Sequence, residues 1–265
     1  MPSGTMIGYA HVAKSFPGSD GARVRAVDGV SLDIAPAEFL AIVGSSGSGK
    51  STLLRLTNRL IEADSGKITI EGKDVGDSDP VMLRRRMGYV FQSGGLFPHM
   101  SVADNIGITP RLLGTPPQQI SSRVDELLEL VRLDPTEHRH RLPHELSGGQ
   151  RQRVGVARAL AASPHIVLMD EPFGALDPLT RDGLGEDYRA LHSKLGLTTV
   201  MITHDMTEAI LLADRIAVMG GGKLLAQGTP AELAGSDDAY VTELLRTPRR
   251  QAERLSSLSG PDGAA

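Results

Sequence analysis

Short apolar runs alternate along this chain with stretches in which apolar residues recur at helical spacing. Phe39 to Val43 is a continuous apolar run, the pattern of a strand buried on both faces, and a glycine-rich turn follows it. Ser51 to Leu60 then reads as a helix. Ile68 to Glu71, Met87 to Phe91, Ile166 to Met169, Thr199 to Ile202 and Arg215 to Met219 read as further strands. Strands that alternate with helical patterns predict an α/β fold. The middle of the chain differs. From about Leu96 to Ala162 strand patterns are scarce, and Leu127, Leu128 and Val131 recur at helical spacing beside Glu126 and Glu129. Arg151 to Ala162 is also helix-like and ends before Pro164. This stretch is expected to be a helical insertion within the α/β core. After Thr247 the chain is rich in Ser, Gly, Ala and charge, the composition of a mobile tail.

Composition narrows the function. Lys and Arg total 28 against 32 for Asp and Glu, so the net charge of -4 argues against a dedicated nucleic-acid binder. The lack of cysteine excludes disulfides and Cys-based zinc sites and fits a reducing compartment. No run reaches the ~18 apolar residues of a membrane-spanning helix. Met1 to Ala10 lacks the basic-then-apolar pattern of a signal peptide. If the protein serves a membrane process, another chain is expected to supply the channel.

The turn after Phe39–Val43 is Gly44-Ser45-Ser46-Gly47-Ser48-Gly49-Lys50-Ser51, which fits the phosphate-binding pattern G-x-x-x-x-G-K-[ST]. Its glycines let backbone N–H groups converge on phosphate oxygens, and the helix that follows adds partial positive charge. Lys50 can reach the β- and γ-phosphates, and the Ser51 hydroxyl can ligate Mg2+. A flexible Gly/Ser turn is the bland alternative, and the flanking strand and helix speak against it. Taken alone, the pattern leaves kinases and GTPases open.

Ile166 to Met169 runs into Asp170 and Glu171. Side chains alternate along a strand, so one of two adjacent carboxylates can face a metal while the next faces an attacking water. Asp170 is the expected metal-shell residue and Glu171 the expected general base. A solvated acidic turn would have the same local pattern; the phosphate-binding loop tips the balance.

Leu146-Ser147-Gly148-Gly149-Gln150 stands just before the helix-like stretch Arg151 to Ala162, which is rich in small residues. Ser147 offers a hydroxyl, and the glycines free N–H groups at a second helix start, a second anion-binding end. One nucleotide has little need of two such ends from one chain, but a dimer could use both.

With these motifs in order, residues 6 to about 235 resemble the ABC ATPases. Gly44 to Ser51, with Thr52, looks like the Walker A loop, Gln92 the Q-loop glutamine, Leu146 to Gln150 the signature and Ile166 to Glu171 the Walker B strand. Ala175-Leu176-Asp177 resembles the D-loop, and His204 the switch histidine. Phe16 falls where the family places an aromatic residue on adenine, with Tyr9 as the alternative. The resemblance implies a P-loop NTPase (RecA-like) core with an inserted α-helical subdomain and a small antiparallel β region. The implied parts are 1–95, 96–162, 163–235 and a tail, 236–265. It also implies ATP and Mg2+ as cofactors, with Ser51, Gln92 and Asp170 around the metal and His204 at the γ-phosphate. Two cassettes would pack head to tail, with ATP between the P-loop of one and Ser147 to Gln150 of the other. Every motif is present in one chain, which fits a homodimer. The other implied partners are transmembrane permease subunits on the cytoplasmic face of a membrane and, indirectly, an extracytoplasmic solute-binding protein.

Local resemblance goes further. Asn58 to Glu62, Ser65 to Ile68, Leu83 to Arg85, Met87 to Val90, Gly95 to Met100, Pro172 to Pro178 and Thr203 to Met206 look like importers of osmoprotectants such as glycine betaine and choline. Three features depart from that group. Ser93-Gly94 replaces a second glutamine before Gly-Leu-Phe. Ser45 stands where many have proline. Residues 236–265 are too few for the pair of CBS domains that many carry. Importers of amino acids or other small solutes are the runner-up, and exporters come after them. DNA-acting relatives carry long coiled coils or Cys-rich zinc modules and ribosome-acting ones usually carry two cassettes, none of which is present in this sequence.

Overall fold

The computed structural model describes residues 4–18, 21–92, 94–174, 176–246 and 250. Ser93 and Ala175 lie outside these residues, as does most of the expected tail after Thr247.

Among the described residues a six-stranded sheet forms the centre, in the order β10-β9-β3-β8-β7-β6. Its strands are β3 (Phe39–Val43), β6 (Met87–Val90), β7 (Ile166–Asp170), β8 (Thr198–Ile202), β9 (Arg215–Gly220) and β10 (Lys223–Gly228). All but β10 run parallel. A parallel sheet is buried on both faces, and β3 and β8 are buried at every position.

Alternation divides the core in two. Phe39, Ala41 and Val43 face one cluster with Val102, Ile106 and Leu127, while Leu40 and Ile42 face another with Leu53, Leu54 and Ile34. The second cluster is covered by a four-stranded antiparallel sheet of order β2-β1-β4-β5. It comprises β1 (Ile7–Pro17), β2 (Arg23–Ile34), β4 (Ser65–Ile70) and β5 (Lys73–Asp74). The apolar pattern predicts β4 but not β1, β2, β5 or β10.

Between Leu96 and Ala162 the described structure holds helices and no strand: α3 (Val102–Leu112), α4 (Pro117–Leu130), α5 (Pro135–His138) and α6 (Gly148–Leu160). The buried stripe of α4 is Ile120, Val124, Leu127 and Leu128, at the spacing of one helix face. The remaining helices are α1 (Lys50–Thr57), α2 (Pro80–Arg85), α7 (Pro178–Leu195), α8 (Met206–Leu212) and α9 (Pro230–Leu233). Helix α1 stops three residues short of the expected Leu60, because Arg59 turns to a left-handed φ of 52°. No helix among the described residues is long and apolar enough to cross a membrane.

Candidate functional site

The parallel register brings the carboxyl ends of β3, β8, β7 and β6 to one edge of the sheet. Open α/β sheets bind ligands at such edges. After β3 the chain enters Gly44 to Ser51. Gly44 has φ 149°, and a Cβ there would lie 2.1 Å from the Met219 carbonyl oxygen. Gly49 has φ 100°, and its Cβ would lie 2.0 Å from the Ala26 carbonyl oxygen. Only glycine fits either place. Gly49 is also the N-cap of α1 and offers no side chain to the first N–H groups of that helix, which include those of Ser51 and Thr52. Ser45, Ser46 and Gly47 are exposed beside them. The result is an exposed arc of backbone donors at a positive helix end.

Lys50 is buried beneath this arc. Its Nζ donates to the Gly44 and Ser45 carbonyl oxygens at 2.8 and 2.9 Å, and Ser48 Oγ is 3.4 Å away. Burial pushes the ammonium below its ordinary pKa, against the opposing pull of Glu171 and Asp170.

Asp170 ends β7 and Glu171 follows it, and the two carboxylates take different partners. Ser51 Oγ donates to Asp170 Oδ1 at 3.0 Å, and the Tyr89 hydroxyl approaches Oδ2 at 3.4 Å. Burial first, and Asp170 next, hold the Tyr89 phenol well above its usual pKa. Glu171 has a left-handed φ of 47°, and its N–H donates to the Ile202 carbonyl at 3.0 Å. Its Oε2 accepts from Gln92 Nε2 at 2.9 Å, and His204 Nδ1 lies 3.3 Å from the same oxygen. Gln92 extends from β6 and His204 from β8, so three neighbouring strand ends meet on one carboxylate.

The His204 loop is braced from behind. Thr203 Oγ1 accepts from the Asp205 N–H at 3.0 Å and donates to Glu208 Oε2 at 2.6 Å. Asp205 caps α8 through the Thr207 N–H at 2.8 Å. Arg181 donates to Asp205 Oδ2 at 3.1 Å and to the Leu176 carbonyl at 3.2 Å, tying this loop to the start of α7. Asp177 caps α7 through the Thr180 N–H, and its hydrogen bonds from Thr180 hold its carboxyl below the usual range. Sequence reasoning missed Tyr89 and Arg181. Neither belongs to a short motif, and only the sheet order and the α7–α8 packing bring them to the site.

The second anion-binding end lies apart. Ser147 is the N-cap of α6; its Oγ accepts from the Gln150 N–H at 3.2 Å, and Gln150 Oε1 accepts from the Ser147 N–H at 2.9 Å. This is a closed capping box. Ser147 and Gly148 are exposed, while Gly149 backs onto α7, where a Cβ would meet Thr180 Cγ2 at 2.7 Å. Among the described residues no hydrogen bond joins Ser147–Gln150 to Gly44–Thr52. Phe16 stands on β1, 38% exposed, with Lys14 Nζ 5.7 Å from its ring centroid. The alternative, Tyr9, is buried: its hydroxyl bonds Thr57 Oγ1 at 2.6 Å and its pKa is pushed up to about 12, so it cannot meet a ligand.

A family profile described as ABC transporter matches residues 27–174, more than half of the chain. This chain belongs to the ABC transporter family. It is 49% identical over 258 residues to a choline transport ATP-binding protein, OpuBA, of Bacillus subtilis (strain 168), covering 97% of this chain and 65% of that protein. It is also 49% identical to the glycine betaine uptake system ATP-binding protein YehX of Escherichia coli (strain K12), over 85% of this chain and 71% of that one. This ABC chain thus spans just under two thirds of the first relative's length. Its fold is similar to a dimeric post-hydrolysis structure of the ATP-binding cassette MJ0796 bound to ADP and Pi. That match has a TM-score of 0.76 at 31% identity and covers 84% of this chain and 98% of the other.

Proposed function

We propose that this chain is the ATP-hydrolysing subunit of an ABC importer for osmoprotectants, quaternary amines such as glycine betaine or choline. The observation that carries the hydrolysis is the meeting of Gln92, Glu171 and His204 beside the arc of donors and Lys50. The substrate class is supported by the names of the relatives, choline and glycine betaine systems.

The residues can divide the work as follows. Lys50 exchanges its carbonyl partners for the β- and γ-phosphates, and the N–H groups of the loop other than that of Ser45, which is held by Tyr240, take the remaining phosphate oxygens. Phe16 offers its exposed ring to adenine. The Ser51 hydroxyl and the Asp170 carboxylate, 3.0 Å apart, are hard oxygen donors. Among the described residues no group of three His, Cys, Asp or Glu side chains could hold a metal. So sparse a donor set fits Mg2+, which keeps waters and phosphate oxygens in its shell. Ser51, Asp170 and Gln92 would hold it, and it would supply charge neutralisation at the phosphates. Glu171 accepts a proton from water as the water oxygen attacks the γ-phosphorus; the bond to the bridging oxygen breaks, leaving ADP and inorganic phosphate. His204 steadies the γ-phosphate. Ser147 to Gln150 of a second copy closes the site from the other side, with Asp177 at the joint.

The implied partners are a second copy, transmembrane permease subunits at the cytoplasmic face of the membrane, and, through them, a solute-binding protein. Permease contact is assigned to the exposed run after Gln92. Leu96 packs partly buried on the core, whereas Phe97 is 42% exposed beside exposed Pro98 and His99. The test is uptake of radiolabelled choline and glycine betaine in cells that carry the chain and its permease. Phe97→Ser should leave melting temperature and basal ATPase near parent values while uptake is lost; Leu96→Ser should lower the melting temperature. Normal uptake with Phe97→Ser would remove this run from coupling. Uptake of amino acids in place of quaternary amines would overturn the substrate class.

A further inference from the structure

The described chain does not end with the cassette. After α9, Asp238 accepts from the Tyr240 and Val241 N–H groups at 2.8 and 3.1 Å and starts a helical stretch over 239–246. Val241 is fully buried, and Tyr240, Leu244 and Leu245 pack partly buried against the core cluster that contains Val43 and Val218. This apolar anchorage fixes the direction of Tyr240. Its hydroxyl accepts a hydrogen bond from the Ser45 N–H at 2.7 Å, across 195 positions of sequence.

Ser45 is the second residue of the phosphate-binding loop. The Ser45 N–H is held from outside by Tyr240, and its carbonyl from inside by Lys50 at 2.9 Å. The two restraints differ in what a nucleotide does to them. Lys50 must leave the Gly44 and Ser45 carbonyls when it turns to phosphate, so the inner restraint is lost on binding. The Tyr240 bond lies outside that exchange and remains to fix the entry of the loop. A loop whose donors must converge on one anion gains affinity when its conformation is set beforehand.

We propose that Tyr240 is a positioning residue of the nucleotide site: through the Ser45 N–H, the docked helical stretch over 239–246 holds the phosphate-binding loop in its receptive shape. ATP affinity is thereby coupled to the docking of a segment that belongs to none of the nucleotide-binding motifs. The proposal rests on the ATP-site reading above.

Two measurements test it. Tyr240→Phe removes the hydroxyl and keeps the ring that packs on the core. Amide hydrogen exchange at Ser45, read without nucleotide, should quicken by about threefold to tenfold, the scale of one net hydrogen bond. The Kd for MgATP should weaken by a similar factor, with KM raised and kcat little changed, while the melting temperature stays close to the parent's. In a Ser45→Pro background the loop has no N–H to offer, so Tyr240→Phe should then cost no further ATP affinity. Unchanged Ser45 exchange, unchanged MgATP affinity, or an equal loss in the Ser45→Pro background would each overturn the proposal. A parent chain that exchanges as expected but does not bind MgATP would overturn the ATP-site reading instead.

Discussion

At the start of α1 the cap is Gly49, whose φ of 100° and missing side chain leave the first N–H groups without a side-chain acceptor. At the start of α6 the cap is Ser147, which exchanges hydrogen bonds with Gln150 and satisfies that end within its own chain. Both are glycine-rich helix ends with positive dipoles, yet one is open and the other closed. An open end gains the full value of an arriving anion. A closed end gains only the difference between the new bonds and those it gives up, although the Ser147 hydroxyl keeps its own proton to donate. The first end also carries the buried Lys50, while the cation at the second, the half-buried Arg151, is engaged with the Leu146 carbonyl at 2.7 Å. On the proposed reading, affinity for ATP belongs mainly to the Gly44–Thr52 end, and Ser147–Gln150 acts on a nucleotide already bound elsewhere. That ordering would make dimerisation follow ATP binding.

The largest effect should come from stopping the reaction that lets the two ends part. Glu171→Gln should cut hydrolysis by about 10²–10⁴-fold, the usual contribution of a general base. ATP should stay bound and shift the chain from monomer to dimer, seen by light scattering beside a single-turnover assay. Near-normal turnover would remove Glu171 from its role. Next is a change confined to the open end. Lys50→Ala deletes charge-assisted bonds, and ATP affinity by calorimetry should fall by about tenfold to a hundredfold. Unchanged affinity would mean that Lys50 does not reach the phosphates. The closed end should respond differently. Ser147→Arg in the Glu171→Gln background should abolish the ATP-driven dimer but alter the monomer's ATP affinity by no more than about twofold, since separate sites act independently. A dimer that survives it would put the interface elsewhere. The smallest effect sharpens the contrast itself. Ser147→Ala opens the α6 cap at a cost of about 1 kcal/mol, or about 2–4 °C in melting temperature. No change in the melting curve would show that the capping box is not holding that helix.

Much of the central sheet was legible because parallel strands are buried on both faces and so read as unbroken apolar runs. Phe39–Val43 and Ile166–Met169 are of this kind. The antiparallel strands left no such trace. Strand β1 shows register shifts between Tyr9 and Val12 and again up to Ser15, and His11 in it has φ 50°. Those irregularities break the two-residue alternation by which a half-buried strand is read. Strand β2 is interrupted by Gly29 at φ 68°, and β10 lies at a sheet edge with one side in solvent. Glu171, the proposed general base, was legible from its motif, and Gln92 and His204 from family resemblance, but their meeting on one carboxylate was not. Gln92, Glu171 and His204 are neighbours only because β6, β7 and β8 are adjacent and parallel, a fact of topology that no local pattern carries.

The backbone of Glu171 carries one more consequence. A glutamate at φ 47° sits in a region that costs a residue with a Cβ free energy and a glycine almost none. The residue proposed as general base is thus one at which glycine would relieve a backbone cost. A library of variants sorted for heat resistance is expected to gain glycine at this position, and one sorted for turnover to keep glutamate. Loss of glutamate at 171 under the first sort and its retention under the second would show chemistry and backbone preference pulling apart at one residue.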